Sequence, residues 1–250
     1  MTVLGHVLVT GSSSGIGMAL AQQISRHQPV ILHGRDSTRL KIALDGCVSG
    51  PHVVWQHDLL CLHGTRDSLK TLLSENGIFI DKFVHCAAQT SVSASRLITS
   101  NSMVETMSVN FFSALDITSC LLSKRINQNA LTNILFLSSI WGQFGQKGHT
   151  MYCASKGALE SAMRSLAVEL APKVRVNCLA LGAVDSPMAS RALSNPEIKK
   201  KVTVDYPLGI GSIEQAVEVC MFLLSQTSSW ITGQVLTADG GRTAHMSNKF

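Results

Sequence analysis

Among its 250 residues the sequence has no apolar run approaching 18 residues, no internal repeat and no low-complexity segment. A membrane-spanning helix needs about 20 consecutive apolar residues, so no membrane span is expected. The opening segment, MTVLGHVLVTG, lacks a basic stretch followed by a long apolar one, and no secretory leader is expected either. Cysteine offers no framework: the seven stand at 47, 61, 86, 120, 153, 178 and 220, an odd number without any C-x-x-C. That spacing predicts reduced thiols and a cytoplasmic setting. Cys61 and His63, with His57 nearby, match no zinc pattern, and no metal site is expected.

Charge is also sparse. Charged residues make up 15% and apolar ones 45%, which excludes a disordered, self-repelling chain and allows a sizeable core. The net charge of +5 comes from 21 basic and 16 acidic residues that are scattered, with Lys199, Lys200 and Lys201 the only short basic cluster. Nothing here calls for nucleic acid, and a modest positive balance equally suits an anionic small molecule such as a phosphate-bearing cofactor.

What is present is alternation. β-Branched runs at 7–10, 30–33, 53–57, 82–86, 133–138, 174–178 and 235–237 read as strands. Helical patterns separate them at about 15–27, 37–46, 65–75, 102–127, 153–170 and 213–225. This predicts one α/β domain over 1–250, a doubly wound parallel sheet of about seven strands with helices on both faces. Ligands of such sheets bind beyond the carboxyl ends of the strands, where the strand order reverses. The segment 187–212, with Pro187, Pro196 and Pro207, breaks the alternation and is expected to be a mobile, substrate-side flap or small helical insert.

The first strand runs into TGSSSGIG, residues 10–17, which opens the first helix. Small residues let a backbone turn sharply against a pyrophosphate, and a helix N-terminus offers free amides and positive dipole charge. Gly11, Ser12, Ser14, Gly15, Ile16 and Gly17 are therefore candidate cofactor contacts. The second strand ends at Gly34-Arg35, where an arginine beside an uncrowded glycine suits a 2′-phosphate and favours NADP(H) over NAD(H). Asp36 competes with that reading, since a strand end shifted by one residue puts a carboxylate at the deciding place, unless Asp36 caps the next helix.

In MYCASKGALE, residues 151–160, Tyr152 and Lys156 stand four apart and share a helix face. A free phenol has a pKa near 10, and a nearby ammonium is expected to favour the phenolate.

Taken in order, TGSSSGIG, Asn110 in SVNFF, Ser139 in LSSIWG and the pair in YCASK resemble the short-chain dehydrogenase/reductase family. The resemblance covers residues 3–241 and implies a Rossmann-type domain, a nicotinamide cofactor and a catalytic set of Asn110, Ser139, Tyr152 and Lys156. In that set Tyr152 would exchange the proton and Ser139 hold the substrate oxygen. Lys156 would lower the tyrosine pKa and hold the nicotinamide ribose, and Asn110 would position a water. The resemblance further implies cofactor contacts at Asp58, Ala87, Gly182, Val184 and Ser186, and a homodimer or homotetramer packed through 102–127 and 153–170. Two departures stand out: Leu181 where the family has proline, and HCAAQ at 85–89 where it usually shows Asn-Asn-Ala-Gly.

The expected activity is NADP(H)-dependent carbonyl reduction of a 3-oxoacyl thioester or similar ketone, carried on acyl carrier protein or coenzyme A. Trp141, Phe144 and Met188 are candidate apolar walls. The alternatives are an NAD(P)-dependent dehydrogenase of a sugar or polycyclic alcohol, and a non-catalytic cofactor-binding sensor or scaffold. No role is assigned to the last nine residues, RTAHMSNKF.

Overall fold

The computed structural model describes residues 5–244, so part of the C-terminal RTAHMSNKF lies outside the described residues. Seven strands form one sheet: β1 (His6–Thr10), β2 (Val30–Gly34), β3 (Val53–Gln56), β4 (Ile80–His85), β5 (Asn133–Ser139), β6 (Arg175–Leu181) and β7 (Val235–Ala238). Their order is β3-β2-β1-β4-β5-β6-β7, and every pairing is parallel. This is the doubly wound, Rossmann-type sheet that the alternation predicts.

Strands covered by helices on both faces must be apolar throughout, and β1, β2 and β5 are buried at every position. The outer strand β7 has no buried position. On one face lie α1 (Gly15–Ser25), α2 (Ser37–Asp45) and α10 (Ile213–Leu224). They bury Leu20, Leu40 and Val217 with Val9 and Leu32 of the sheet. On the other face α3 (Leu62–Asn76), α5 (Ser113–Leu121) and α7 (Thr150–Leu170) bury Leu69, Ile117 and Met163 against Phe83 and Phe136.

The expected single helix over 102–127 is broken. The chain forms α4 (Ser100–Met107), a π turn at Ser108–Phe112, then α5, and the single-turn α6 (Lys124–Asn127). In the π turn the Ser113 N–H reaches back to the Ser108 carbonyl, and the widened turn carries the fully buried Asn110. The sixth strand runs past its expected end to Leu181, which pairs with Ser139 on one side and Ala238 on the other. A leucine keeps the backbone N–H that a proline lacks, so the ladder does not stop short of this position.

Segment 187–212 holds α8 (Pro187–Leu193) and α9 (Pro196–Val204), each opening on a proline, which suits the first helical turn. It is tied to the sheet end by Lys199 and Asp185 at 3.0 Å, and by the Ala183 N–H donating to the Tyr206 hydroxyl at 3.0 Å. All seven cysteines are free thiols. Among the described residues no helix is long and apolar enough to cross a membrane.

Candidate active site

The strand order reverses between β1 and β4, and the site candidates collect beyond the carboxyl ends there. The glycine-rich loop leaves β1 with Gly11 at φ +68° and Gly15 at φ +55°, left-handed conformations that favour glycine. A Cβ on Gly11 would lie 2.8 Å from the Ala87 backbone, and one on Gly17 would strike the Gly11 carbonyl. The loop is thus folded tightly onto itself and onto the segment after β4. Ser14 caps α1 in extended conformation without spending its hydroxyl there, and Ile16 is half-buried in the first turn. Ser12 differs from the rest. It is fully buried, its hydroxyl accepting from His33 N at 2.7 Å and donating to His33 O at 3.3 Å. Its side chain fastens the loop to β2.

At the end of β2, Arg35 is exposed and Asp36 caps α2, accepting from Arg39 N at 3.0 Å. A Cβ at Gly34 would sit 3.0 Å from Ser13, so glycine is what lets strand end and loop lie side by side. Asp58 follows β3, half-buried, and accepts from Leu60 N at 3.1 Å. Ala87 is buried under the loop. These groups fit a dinucleotide: glycines whose side chains would close the turn, amides at the mouth of an 11-residue helix, and an exposed guanidinium beyond them.

On the other side of the reversal, Ser139 ends β5 and Tyr152 and Lys156 lie one turn apart on α7. The Lys156 Nζ stands 5.6 Å from the centre of the Tyr152 ring. It donates to the Leu137 carbonyl at 2.7 Å, and the side chain is buried. Burial lowers the lysine to about 8, against the opposing influence of Cys178, Cys86 and Glu160. Ser139 hydrogen-bonds Tyr152, yet burial of the phenol outweighs that bond and pushes it up to about 12. This reverses the expected lowering of the tyrosine: loss of hydration disfavours the phenolate, and the ammonium is engaged with a backbone carbonyl.

Asn110 is used more fully than a water-positioning role requires. Its Oδ1 accepts from Gln89 N at 2.8 Å, while Nδ2 donates to Gln89 O at 3.0 Å and Ser155 Oγ at 2.9 Å. Both amide hydrogens are committed, and a single Oδ1 lone pair is left for water. Gly182 packs so closely on Asp239 that a Cβ would come within 2.8 Å of its Cα. Val184 is buried and bridges to Gly211, and Ser186 caps α8 without using its side chain.

Of the candidate walls, Trp141 meets Tyr152 edge-on, with ring centres 6.0 Å apart, while Phe144 and Met188 are exposed. His149 adds a ring 4.5 Å from Trp141. Sequence reasoning passed over Glu160, although it lies one turn beyond Lys156, the spacing that could have found it. This buried carboxylate accepts from Ser138 at 2.6 Å and Gln143 at 3.2 Å, and so fixes the strand end and the turn that flank Ser139.

Architecture and site together define a nicotinamide-dependent oxidoreductase, and the chain belongs to the short-chain dehydrogenase/reductase family. The family model described as enoyl-(acyl carrier protein) reductase matches residues 11–243. The chain is 31% identical over 240 residues to 3-oxoacyl-(acyl-carrier-protein) reductase FabG of Aquifex aeolicus, covering 94% of this chain and 95% of that one. It is 30% identical to L-xylulose reductase of Bos taurus over 240 residues, 94% of this chain and 95% of the other. In fold it resembles 4-hydroxyisoleucine dehydrogenase complexed with NADH, with a TM-score of 0.90, 21% identity, and coverage of 97% and 100%.

Proposed function

We propose that the protein is an NADP(H)-dependent carbonyl reductase whose substrate is a 3-oxoacyl thioester or similar ketone, carried on acyl carrier protein or coenzyme A. The observation that carries this reading is the meeting of Ser139, Tyr152 and Lys156 at the reversal of strand order, with the Lys156 Nζ 5.6 Å from the centre of the Tyr152 ring. The phenol, pushed up to about 12, holds its proton at neutral pH and can give it to a carbonyl oxygen.

The cofactor, when bound, supplies hydride to the carbonyl carbon. Ser139 hydrogen-bonds the carbonyl oxygen, and the Tyr152 hydroxyl delivers the proton to it. Lys156 sits behind the ring, where its ammonium stabilises the phenolate left after transfer and holds ribose hydroxyls. Asn110 fixes the loop over the site, and its remaining lone pair orders water near the lysine. Gly11, Ser14, Gly15, Ile16 and Gly17 hold the pyrophosphate, Arg35 the 2′-phosphate, Asp58 and Ala87 the adenine end, and Gly182, Val184 and Ser186 the nicotinamide end.

The acyl-carrier substrate rests on likeness to the FabG reductase. Likeness to L-xylulose reductase, with the Trp141 ring at the mouth of the site, supports oxidation or reduction of a sugar as the second reading. Residues 187–212 close over the substrate in either case. Exposed Val104, Phe112 and Val168 on α4, the π turn and α7 support packing against a second copy as a homodimer or homotetramer. The free thiols suit a cytoplasmic location.

The test is a titration with NADPH and NADH, then a panel of 3-oxoacyl thioesters, ketones and sugars followed through cofactor absorbance. Tight NADPH binding, turnover of the thioesters, and a loss of about a thousandfold in kcat on Tyr152→Phe are expected. Near-normal turnover by Tyr152→Phe would overturn the proton-transfer role. Turnover of sugars alone would transfer the assignment to the second reading.

A further inference from the structure

Thr10 and His85 face each other across the β1–β4 pair, at the reversal of strand order. The Thr10 Oγ1 accepts from the Ala87 N–H at 3.2 Å and lies 2.9 Å from His85 Nδ1. The tautomer is fixed at the other nitrogen: the Val109 carbonyl, 3.2 Å from Nε2, can only accept, so Nε2 carries the proton and donates to it. In the neutral ring Nδ1 is then bare, and the Thr10 hydroxyl donates to it.

The ring is completely buried, with Phe83 and Phe136 against it edge-on at 6.1 and 6.4 Å. The charged and titratable groups that act on it are Lys156 from α7 and His33 from β2, and both oppose a second proton. Burial adds to this, and the ring is held down to about 3. The ring is therefore neutral near pH 7.

Val109 immediately precedes Asn110 in the π turn. At the far end of the loop, Asn110 grips both backbone groups of Gln89. It also donates to Ser155, whose hydroxyl donates to the Tyr152 carbonyl at 2.8 Å. Residues 85–89 are therefore clamped to the π turn at both ends, by His85 through Val109 and by Gln89 through Asn110. The same loop is clamped to the glycine-rich loop through Thr10.

We infer that His85 is a positioning residue, a neutral imidazole strut that couples the phosphate-binding loop at Thr10 to the π turn carrying Asn110, and through it to Tyr152. Its two ring nitrogens lie in one rigid plane and point in diverging directions, so each can serve a different element. The strut explains why the 85–89 segment can depart from the Asn-Asn-Ala-Gly pattern and still be hydrogen-bonded at both ends. Its kinetic consequence rests on the reductase reading, and its structural and binding consequences do not.

The experiment compares the full-length protein with Thr10→Val, His85→Leu, their double variant and His85→Asn. Three readouts are taken: NADPH affinity, the separate kcat and KM for the carbonyl substrate, and 15N NMR of histidine-labelled protein. Two imidazoles, those of His33 and His85, are expected to show the Nε2-protonated neutral pattern unchanged from about pH 5 to about pH 9, and one of the two to vanish in His85→Leu. Loss of the strut should weaken NADPH and lower kcat by about tenfold each, with KM changed less than about twofold. His85→Asn, which restores a donor and an acceptor, should recover most of the loss, and the double variant should lose little more than either single one. A purely structural histidine would lower the melting temperature and leave kcat per folded molecule untouched.

A His85 ring that titrates in that range or carries its proton on Nδ1 overturns the inference, and so do additive effects of the two substitutions. Should His85→Leu fail to fold, Thr10→Val removes the same hydrogen bond at nearly constant shape, and normal NADPH affinity in that variant overturns the coupling. If the parent protein turns over no carbonyl, the reductase reading fails by itself, while NMR and NADPH affinity still decide the strut.

Discussion

Lys156 holds its ammonium 5.6 Å from the centre of the Tyr152 ring while donating to the Leu137 carbonyl at 2.7 Å. Placing that charge inside the protein costs stability. The lysine is lowered from its ordinary 10.5 to about 8, equivalent to about 3 kcal/mol against folding wherever the group is protonated in both states. Between those two values the unfolded chain binds more protons than the folded one, so stability rises with pH across that window. Lys156→Met keeps the stem and removes the charge, and it leaves Leu137 without its donor equally at every pH. Urea unfolding should therefore show the variant gaining on the parent at about pH 7 and losing that advantage toward about pH 10. An advantage that stays constant, or grows with pH, would contradict the buried ammonium.

Acid acts on a different pair of groups. His33 and His85 are both held down to about 3 from an ordinary 6.5, chiefly by burial. With folded values depressed, the unfolded chain takes up protons first, and stability is lost as pH falls from about 6.5 toward about 3. Each ring contributes a slope of about 1.4 kcal/mol per pH within that range. His33→Asn should make the pH dependence of the urea midpoint shallower by one such increment, whatever it does to stability at neutral pH. A slope identical to the parent's would show that His33 is not held neutral.

All seven strands and the crossover pattern were legible because each strand is covered on both faces or clearly bounded, so local composition reports the tertiary setting. The π turn at 108–112 was not. Its cause is long-range: Asn110 leaves the helical register to meet Gln89 and Ser155, partners 21 and 45 residues away. The positions of Ser139, Tyr152 and Lys156 could be read from spacing, but the acidity of the tyrosine could not. It depends on how much protein surrounds the hydroxyl, and one ion pair read along a helix says nothing of that. The roles of Ser12 and His85 were hidden for a related reason, since both side chains turn inward and hold one loop to another.

Gly17 tests the geometry of the phosphate loop directly. A methyl group here meets the Gly11 carbonyl, which is backbone and cannot swing aside as a side chain would. Gly17→Ala should displace the loop, costing about 2 kcal/mol of stability and weakening dinucleotide binding by at least about tenfold. Isothermal titration with NADPH reads the second effect without any substrate. Unchanged affinity would mean that the loop does not touch the pyrophosphate.

Arg35 and Asp36 divide the labour at the end of β2, and the division predicts opposite results for neighbouring substitutions. Asp36 spends its carboxylate on Arg39, through the N–H at 3.0 Å and the guanidinium at 3.9 Å, whereas Arg35 is exposed. Asparagine caps helices as well as aspartate does, so Asp36→Asn should leave stability almost unchanged. By removing a negative charge beside the 2′-phosphate it should raise NADPH affinity slightly and NADH affinity not at all. Arg35→Ala should lower NADPH affinity by about ten- to a hundredfold and largely spare NADH, because a 2′-phosphate offers anionic oxygens for a bidentate guanidinium and a 2′-hydroxyl does not. Equal losses for both dinucleotides would make Arg35 a general surface charge, and a gain in NADPH selectivity on its removal would reverse the assignment.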